Sequence, residues 1–208
     1  MLLIRNTENR YGTVAVGLHW LMAVLLISLV ALGMYMVQLP DAGFDTRKIT
    51  LILYHKDLGM LALALVILRL AWRVTGVLPA LVARLPEWQK VVARFAHLSL
   101  YALMIALPVS GWLMSSAAGF PVTVLGILRV PDLIGHDDYL FQFFVAVHRW
   151  LSYALIALTG VHAVAALRHH FIFKDDTLRR MLASSPGPSS VSPPVPGRTR
   201  QLPAEPSP

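Results

Sequence analysis

Five histidines lie in or beside long apolar runs: His19, His55, His97, His148 and His162. An ionisable side chain at membrane depth is costly and usually faces a protein interior with a partner. His148 and His162 stand fourteen residues apart. On a helix that is just under four turns, an offset of roughly 40° and an axial separation of about 21 Å. The two share a face but lie too far apart to serve one metal ion or one acid–base pair. They suit two centres stacked along a helix. If the chain crosses four times, His19 lies at about the depth of His162 and His55 at about that of His148. Imidazoles paired across a bundle core are what a haem with both axial positions filled requires. The expected cofactors are two non-covalent haem b groups, one held by His19 and His162, the other by His55 and His148. His97 sits at the depth of the first pair. It is open to replacing His19 or His162 as ligand, or to donating to a haem propionate, and the last role is preferred.

Other chemistries are weighed by what is missing. A lone intramembrane histidine more often bonds a neighbouring helix or relays protons; four that match by pairs in depth ask for more. A zinc or copper transporter would add Cys, Asp or Glu within the spans, and Asp57 is nearly the only such residue. The chain has no cysteine, which excludes disulfides, iron–sulfur clusters and covalent haem attachment through C-x-x-C-H.

The elements that must position these histidines follow from composition. Of 208 residues, 56% are hydrophobic and 14% charged, against about a quarter charged in soluble domains. Four runs approach the roughly 20-residue spanning length. The fold expected is an all-α integral membrane four-helix bundle. Its spans cover about 14–37, 49–72, 95–114 and 139–167, in one domain of residues 1–182. Pro108 and Gly111 mark a kink or close packing in the third span. Residues 118–130 are apolar but too short to cross, and read as a surface-lying or partly inserted loop covering one end of the bundle. Residues 183–208, rich in Pro and Ser, read as a disordered tail.

The net charge of +7 does not point to nucleic acid, because the basic residues flank spans instead of forming one stripe. Arg5, Arg10, Arg69, Arg73, Arg84, Lys90, Arg94, Arg168, Lys174, Arg179 and Arg180 fall on the N-terminal side of the bundle. Arg47, Lys48, Lys56, Arg129 and Arg149 fall on the other. This bias places both termini in the cytoplasm. No cleavable signal peptide is expected, since the first apolar run is a full span.

The motifs around these residues carry a family resemblance. They are Tyr11-Gly12 with Gly17-Leu18-His19-Trp20, then His55-Lys56-Asp57-Leu58-Gly59, then Ala96-His97-Leu98 with Ile105 to Gly111, and finally Gly160-Val161-His162-Ala163 with His169-His170 and Lys174 to Leu178. In this order, over about residues 10–182, they resemble the bacterial cytochrome b561 family, and within it the di-haem superoxide oxidase type. The resemblance implies a multi-pass protein of the bacterial inner membrane. It would take electrons from superoxide at the outer face and pass them to ubiquinone. It maps the family's ligands onto His19 and His162 for the inner haem, and onto His55 and His148 for the outer one. The tail and the loop at residues 74–90 depart from the compact pattern.

Under that reading a basic outer mouth would steer superoxide, with Lys56 and Arg149 beside the outer ligands and Arg129, Arg47 and Lys48 as helpers. An inner quinone site draws on His169, Arg73 and Arg84, near Trp72 and Trp88. Partners are then membrane lipid, quinone and superoxide, with no nucleic acid and no obligate protein partner. The alternative function is a cytochrome b relay subunit between quinone and a peripheral dehydrogenase or hydrogenase.

Overall fold

The structure, a computed structural model, describes residues 4–8, 10–40, 46–79, 86–124 and 126–182. Four long helices dominate it: α1 (Thr13–Met36), α2 (Thr46–Thr75), α3 (Glu87–Ala117) and α4 (Asp138–Phe171). Each is long and apolar enough to cross a membrane. With 31 and 34 residues, α3 and α4 run to roughly 46 and 51 Å. A bilayer core is only about 30 Å thick, so both project beyond it. The third span, expected from residue 95, is part of a helix that starts at Glu87 just after Pro86. Its first turn is polar and closed by Lys90 on Glu87 at 2.6 Å, so apolarity alone understates its length. α4 is capped by Asp137, whose carboxylate accepts the Leu140 N–H at 2.9 Å.

The bundle is inside-out relative to a soluble one. Val24, Ile27, Leu53, Ile67, Val92, Val161 and Val164 are exposed, whereas the buried apolar core is thin and includes Met22, Leu29, Met60, Val66, Leu107 and Leu155. Exposed aliphatic side chains along whole helices are what lipid contact requires. Along the bundle, α1 packs on α2, α2 on α3 and α3 on α4. Among the described residues, α4 makes no backbone approach of comparable extent to α1 or α2. A seam therefore runs the length of the molecule between α4 and the α1–α2 pair.

The four long helices match the expected all-α bundle, and residues 118–130 add a small detail to it. Those residues do cap one end without crossing, but as an antiparallel hairpin of β1 (Val122–Val124) and β2 (Leu128–Val130), with Val122 opposite Val130. Alternating β-branched residues favour the strands, and Gly126 supplies a positive φ of 68° in the turn. Val122 is buried against the bundle. The hairpin is tied to α2 by Thr123, which donates to the Asp57 carboxylate at 2.6 Å, and by Lys56, which donates to the Pro121 carbonyl at 2.7 Å.

At the opposite end a short helix, α5 (Arg179–Leu182), follows α4. Trp20 on α1 donates its indole N–H to the Met181 carbonyl at 2.6 Å. Asn6 accepts the Gly12 N–H at 2.8 Å and donates to the Val77 carbonyl at 3.1 Å, fastening the segment before α1 to the end of α2. The bundle thus has a hairpin end and an α5 end. Arg84 and the tail at 183–208 lie outside the described residues.

Candidate functional site

Four histidines face each other in pairs across the seam. At the α5 end, the rings of His19 on α1 and His162 on α4 have centroids 6.4 Å apart. At the hairpin end, His55 on α2 and His148 on α4 are 6.2 Å apart. Two imidazoles bonded in line to one ion at roughly 2 Å each would place their centroids about 6.3 Å apart. Both pairs match that spacing. They occur where α4 stands off from α1 and α2, and a flat macrocycle needs such a slot. His97 on α3 also meets His162, at 5.4 Å, about 1 Å too close for the two to share an ion in line. Among the described residues, no group of three or more His, Cys, Asp or Glu converges as a site for a bare metal ion.

The surroundings of each ring decide which nitrogen is free. His148 Nδ1 lies 3.1 Å from the Leu107 carbonyl and 3.0 Å from the Ser110 hydroxyl, which itself donates to the Leu107 carbonyl at 2.7 Å. A carbonyl only accepts, so Nδ1 carries the proton and Nε2 keeps its lone pair, the tautomer of a coordinating histidine. His55 Nδ1 is buried without a hydrogen-bond partner. Small residues make room for both rings. A methyl group built on Gly33 would lie 3.3 Å from His55 Cε1, and one on Gly111 would lie 3.3 Å from His148 Cε1. Ser110, Leu107 and Gly33 are contributors that histidine spacing could not reveal.

The α5 end differs in charge. Arg69, on the C-terminal half of α2, turns inward: its Nη2 is 3.2 Å from His19 Nδ1, and its Nε donates to the Tyr101 hydroxyl at 3.1 Å. Its Nη1 is buried with no partner. Arg73 lies over the same Tyr101 ring, 5.7 Å from the centroid. It therefore stands close to the level of the His19–His162 pair instead of marking only the end of the span.

The remaining expected site residues separate. Lys56 lines a cleft with His55, His148, Pro108, Gly111 and Val122, but its ammonium is engaged by Pro121. Arg149 is exposed on α4. His169 Nδ1 pairs with Asp175 Oδ2 at 2.6 Å, with both side chains mostly covered. Burial raises the Asp175 carboxyl, but hydrogen bonds from the Thr177 hydroxyl and N–H and from His169 outweigh it and hold the group below the usual carboxylate range. A carboxyl held low in the folded state favours folding above its ordinary pKa of about 3.9, and ceases to do so as pH falls through the folded value. Asp175→Asn should therefore lower thermal stability in detergent near pH 7. That deficit should begin to shrink as pH falls below about 4 and vanish below the folded value; a deficit that does not shrink at all would mean the pair contributes by shape alone.

Comparison with known proteins agrees with this architecture. The sequence profile of prokaryotic cytochrome b561 matches residues 10–184. The chain is 37% identical over 180 residues to "Cytochrome b561 homolog 2" of Escherichia coli K12, covering 86% of this chain and 95% of that protein. It is 29% identical to "Cytochrome b561 homolog 1" of the same strain, over 84% of this chain and 97% of that one. It is 28% identical to "Probable superoxide oxidase CybB" of Yersinia pestis, over 86% and 99%. A four-span bundle with paired histidines along one seam is thus a multi-pass electron-transfer protein of the bacterial inner membrane, and the chain belongs to the prokaryotic cytochrome b561 family, whose cofactor is haem b.

Proposed function

We propose that this protein holds two haem b groups and uses them to oxidise superoxide at the hairpin end and reduce ubiquinone at the α5 end. The observation that carries the reading is the pair of histidine separations, 6.4 and 6.2 Å, at two levels about 21 Å apart along α4. His19 and His162 hold one group, His55 and His148 the other. Haem b held between two histidines would supply a one-electron carrier suited to electron transfer. Two superoxide ions then give two dioxygen molecules, and their two electrons with two protons convert one quinone to quinol. Superoxide enters the reading through the name of the Yersinia pestis relative. The basic bias of the α5 end supports a cytoplasmic position for that end and for both termini, and superoxide would then be met on the periplasmic side.

At the hairpin end, Lys56 and Arg149 supply positive charge beside the histidines. Because Lys56 is fixed by Pro121, its role is a static field and not a mobile arm. Superoxide consumption should fall as ionic strength rises, and Lys56→Gln or Arg149→Gln should flatten that dependence. Rates indifferent to both salt and substitution would exclude steering.

At the α5 end, the His169–Asp175 pair can hold a proton close to the membrane surface, and Arg73, over the Tyr101 ring, adds positive charge toward the same end. His169→Phe should slow quinone reduction about a hundredfold or more, the usual range for loss of a general acid, and leave both haem spectra unchanged. Loss of a haem component instead would make His169 a structural residue. The decisive experiment is stopped-flow superoxide decay by the purified pigmented protein, with and without ubiquinone. Quinone-dependent decay supports the enzyme. Quinol that reduces the pigment, without superoxide consumption, would leave the relay-subunit reading.

A further inference from the structure

The α5 end contains a cation whose setting differs from every other in the bundle. Arg69 is charged at any accessible pH, and its Nη1 is buried and unpartnered. Within α1 to α4 the acidic residues are Asp57, Glu87 and Asp138. Asp57 is held by Thr123 at the hairpin end, and Glu87 by Lys90 at the first turn of α3. Asp138 opens α4, also at the hairpin end. No carboxylate of the described residues is bonded to Arg69. A guanidinium at this depth without a counter-charge is costly.

Its present partner is also a temporary one. Arginine only donates, so the 3.2 Å contact makes His19 Nδ1 an acceptor and places the ring proton on Nε2. A neutral histidine that coordinates through Nε2 carries its proton on Nδ1. Two donors cannot face each other, so Arg69 must leave His19 when that ring becomes a ligand. Its Nε remains anchored by Tyr101 at 3.1 Å. The head then needs an anion at the level of His19, His97 and His162, all three of which its charge acts on.

We propose that Arg69 is the counter-charge of a haem propionate at the α5 end, and that it raises the reduction potential of that haem above its partner's. Among the described residues, the hairpin-end rings have no such cation on them: His148 Nδ1 meets Leu107 and Ser110, His55 Nδ1 has no partner, and Lys56 is turned to the Pro121 carbonyl. A buried cation favours the more negative, reduced state of a nearby centre. The asymmetry draws electrons from the hairpin end toward the α5 end. Arg69 is a positioning and tuning residue, bound through the carboxylate and not to the iron. The proposal rests on the two-haem reading above.

The test is a redox titration of intact detergent-purified protein, parent against Arg69→Gln and Arg69→Lys, with haem content measured in each. The component lost in His162→Ala identifies the α5-end haem. In Arg69→Gln that component should shift to lower potential by about 59 mV or more, a tenfold change for a one-electron couple, while the other stays in place. Arg69→Lys, which keeps the charge, should retain most of the parental value. If Arg69→Gln loses the group outright, Arg69→Lys near the parental potential supports the proposal, and Arg69→Lys shifted fully downward overturns it. Unchanged potentials in Arg69→Gln, or an equal shift of both components, also overturn it. A parent protein with a single haem component would instead overturn the two-haem reading.

Discussion

Replacing His148 with alanine should remove one haem component and leave the other, and replacing His148 and His162 together should give colourless protein. The expectation follows from α4 contributing one ligand to each level, so that no other helix is common to both pairs. Loss of one imidazole would leave a bound group held by a single histidine, and among the described residues of the hairpin end no third ring meets His55 or His148, since His136 is bonded to the Ala117 carbonyl. At the α5 end there is one. His97 lies 5.4 Å from His162, about 1 Å short of the in-line spacing, so a small outward shift of its ring would give His19→Ala a rescuer that His55→Ala lacks. The haem-to-protein ratio should therefore fall from about two to about one in His148→Ala and to near zero in the double variant. His19→Ala should keep part of its pigment with an altered spectrum, reporting ligation by His97. Circular dichroism must show the helices intact in each case, because colourless aggregate says nothing. Full pigment in the double variant would end the assignment of all four ligands.

How much of this could be read from residues alone depends on distance along the chain. The four helices were legible because lipid imposes a local rule, an apolar run of fixed length. The pairing of His148 and His162 on one face was legible because the helical repeat carries over fourteen residues without reference to any other element. What escaped is non-local. Arg69 reads in sequence as one of the cations closing a span, yet α2 continues to Thr75 and the guanidinium turns in against His19 on another helix. Gly33 gives no hint that it faces His55, since that contact depends on how α1 crosses α2. The hairpin had a weak local signal, Val122-Thr123-Val124 and Leu128-Arg129-Val130 about Gly126, which the apolarity of the whole stretch concealed. His169 reads in sequence as a quinone-site candidate at the inner end of the fourth span, without its partner. Asp175 lies beyond the end of α4, and only the turn after Phe171 brings the two together.

Gly111→Val should discharge the hairpin-end haem and spare the other, with an effect close to that of removing His148 itself. His148 is held from two sides. Leu107 and Ser110 fix its Nδ1 at 3.1 and 3.0 Å, and one turn further along α3 the bare Cα of Gly111 lets the ring lie flat against the helix. A methyl at that position already meets Cε1 at 3.3 Å and Nδ1 at 3.5 Å, tighter than ordinary van der Waals contact but within reach of a shift of a few tenths of an ångström. The two γ-carbons of valine need far more space. They would drive the ring off its hydrogen bonds at a cost of about 1–3 kcal/mol for overpacking, plus about 1 kcal/mol for the lost bond. A ring displaced by about 1 Å would no longer reach an ion at the roughly 2 Å bonding distance. Gly111→Ala should therefore keep its pigment, with a modest spectral or potential change in the hairpin-end component alone. Gly160→Val is the control: on α4, with no protein atom within 4 Å of the built methyl, it should keep both haems. Retention of both components by Gly111→Val would mean that His148 does not take its working position against α3. If Gly160→Val loses pigment equally, the effect belongs to helix propensity and not to the ring.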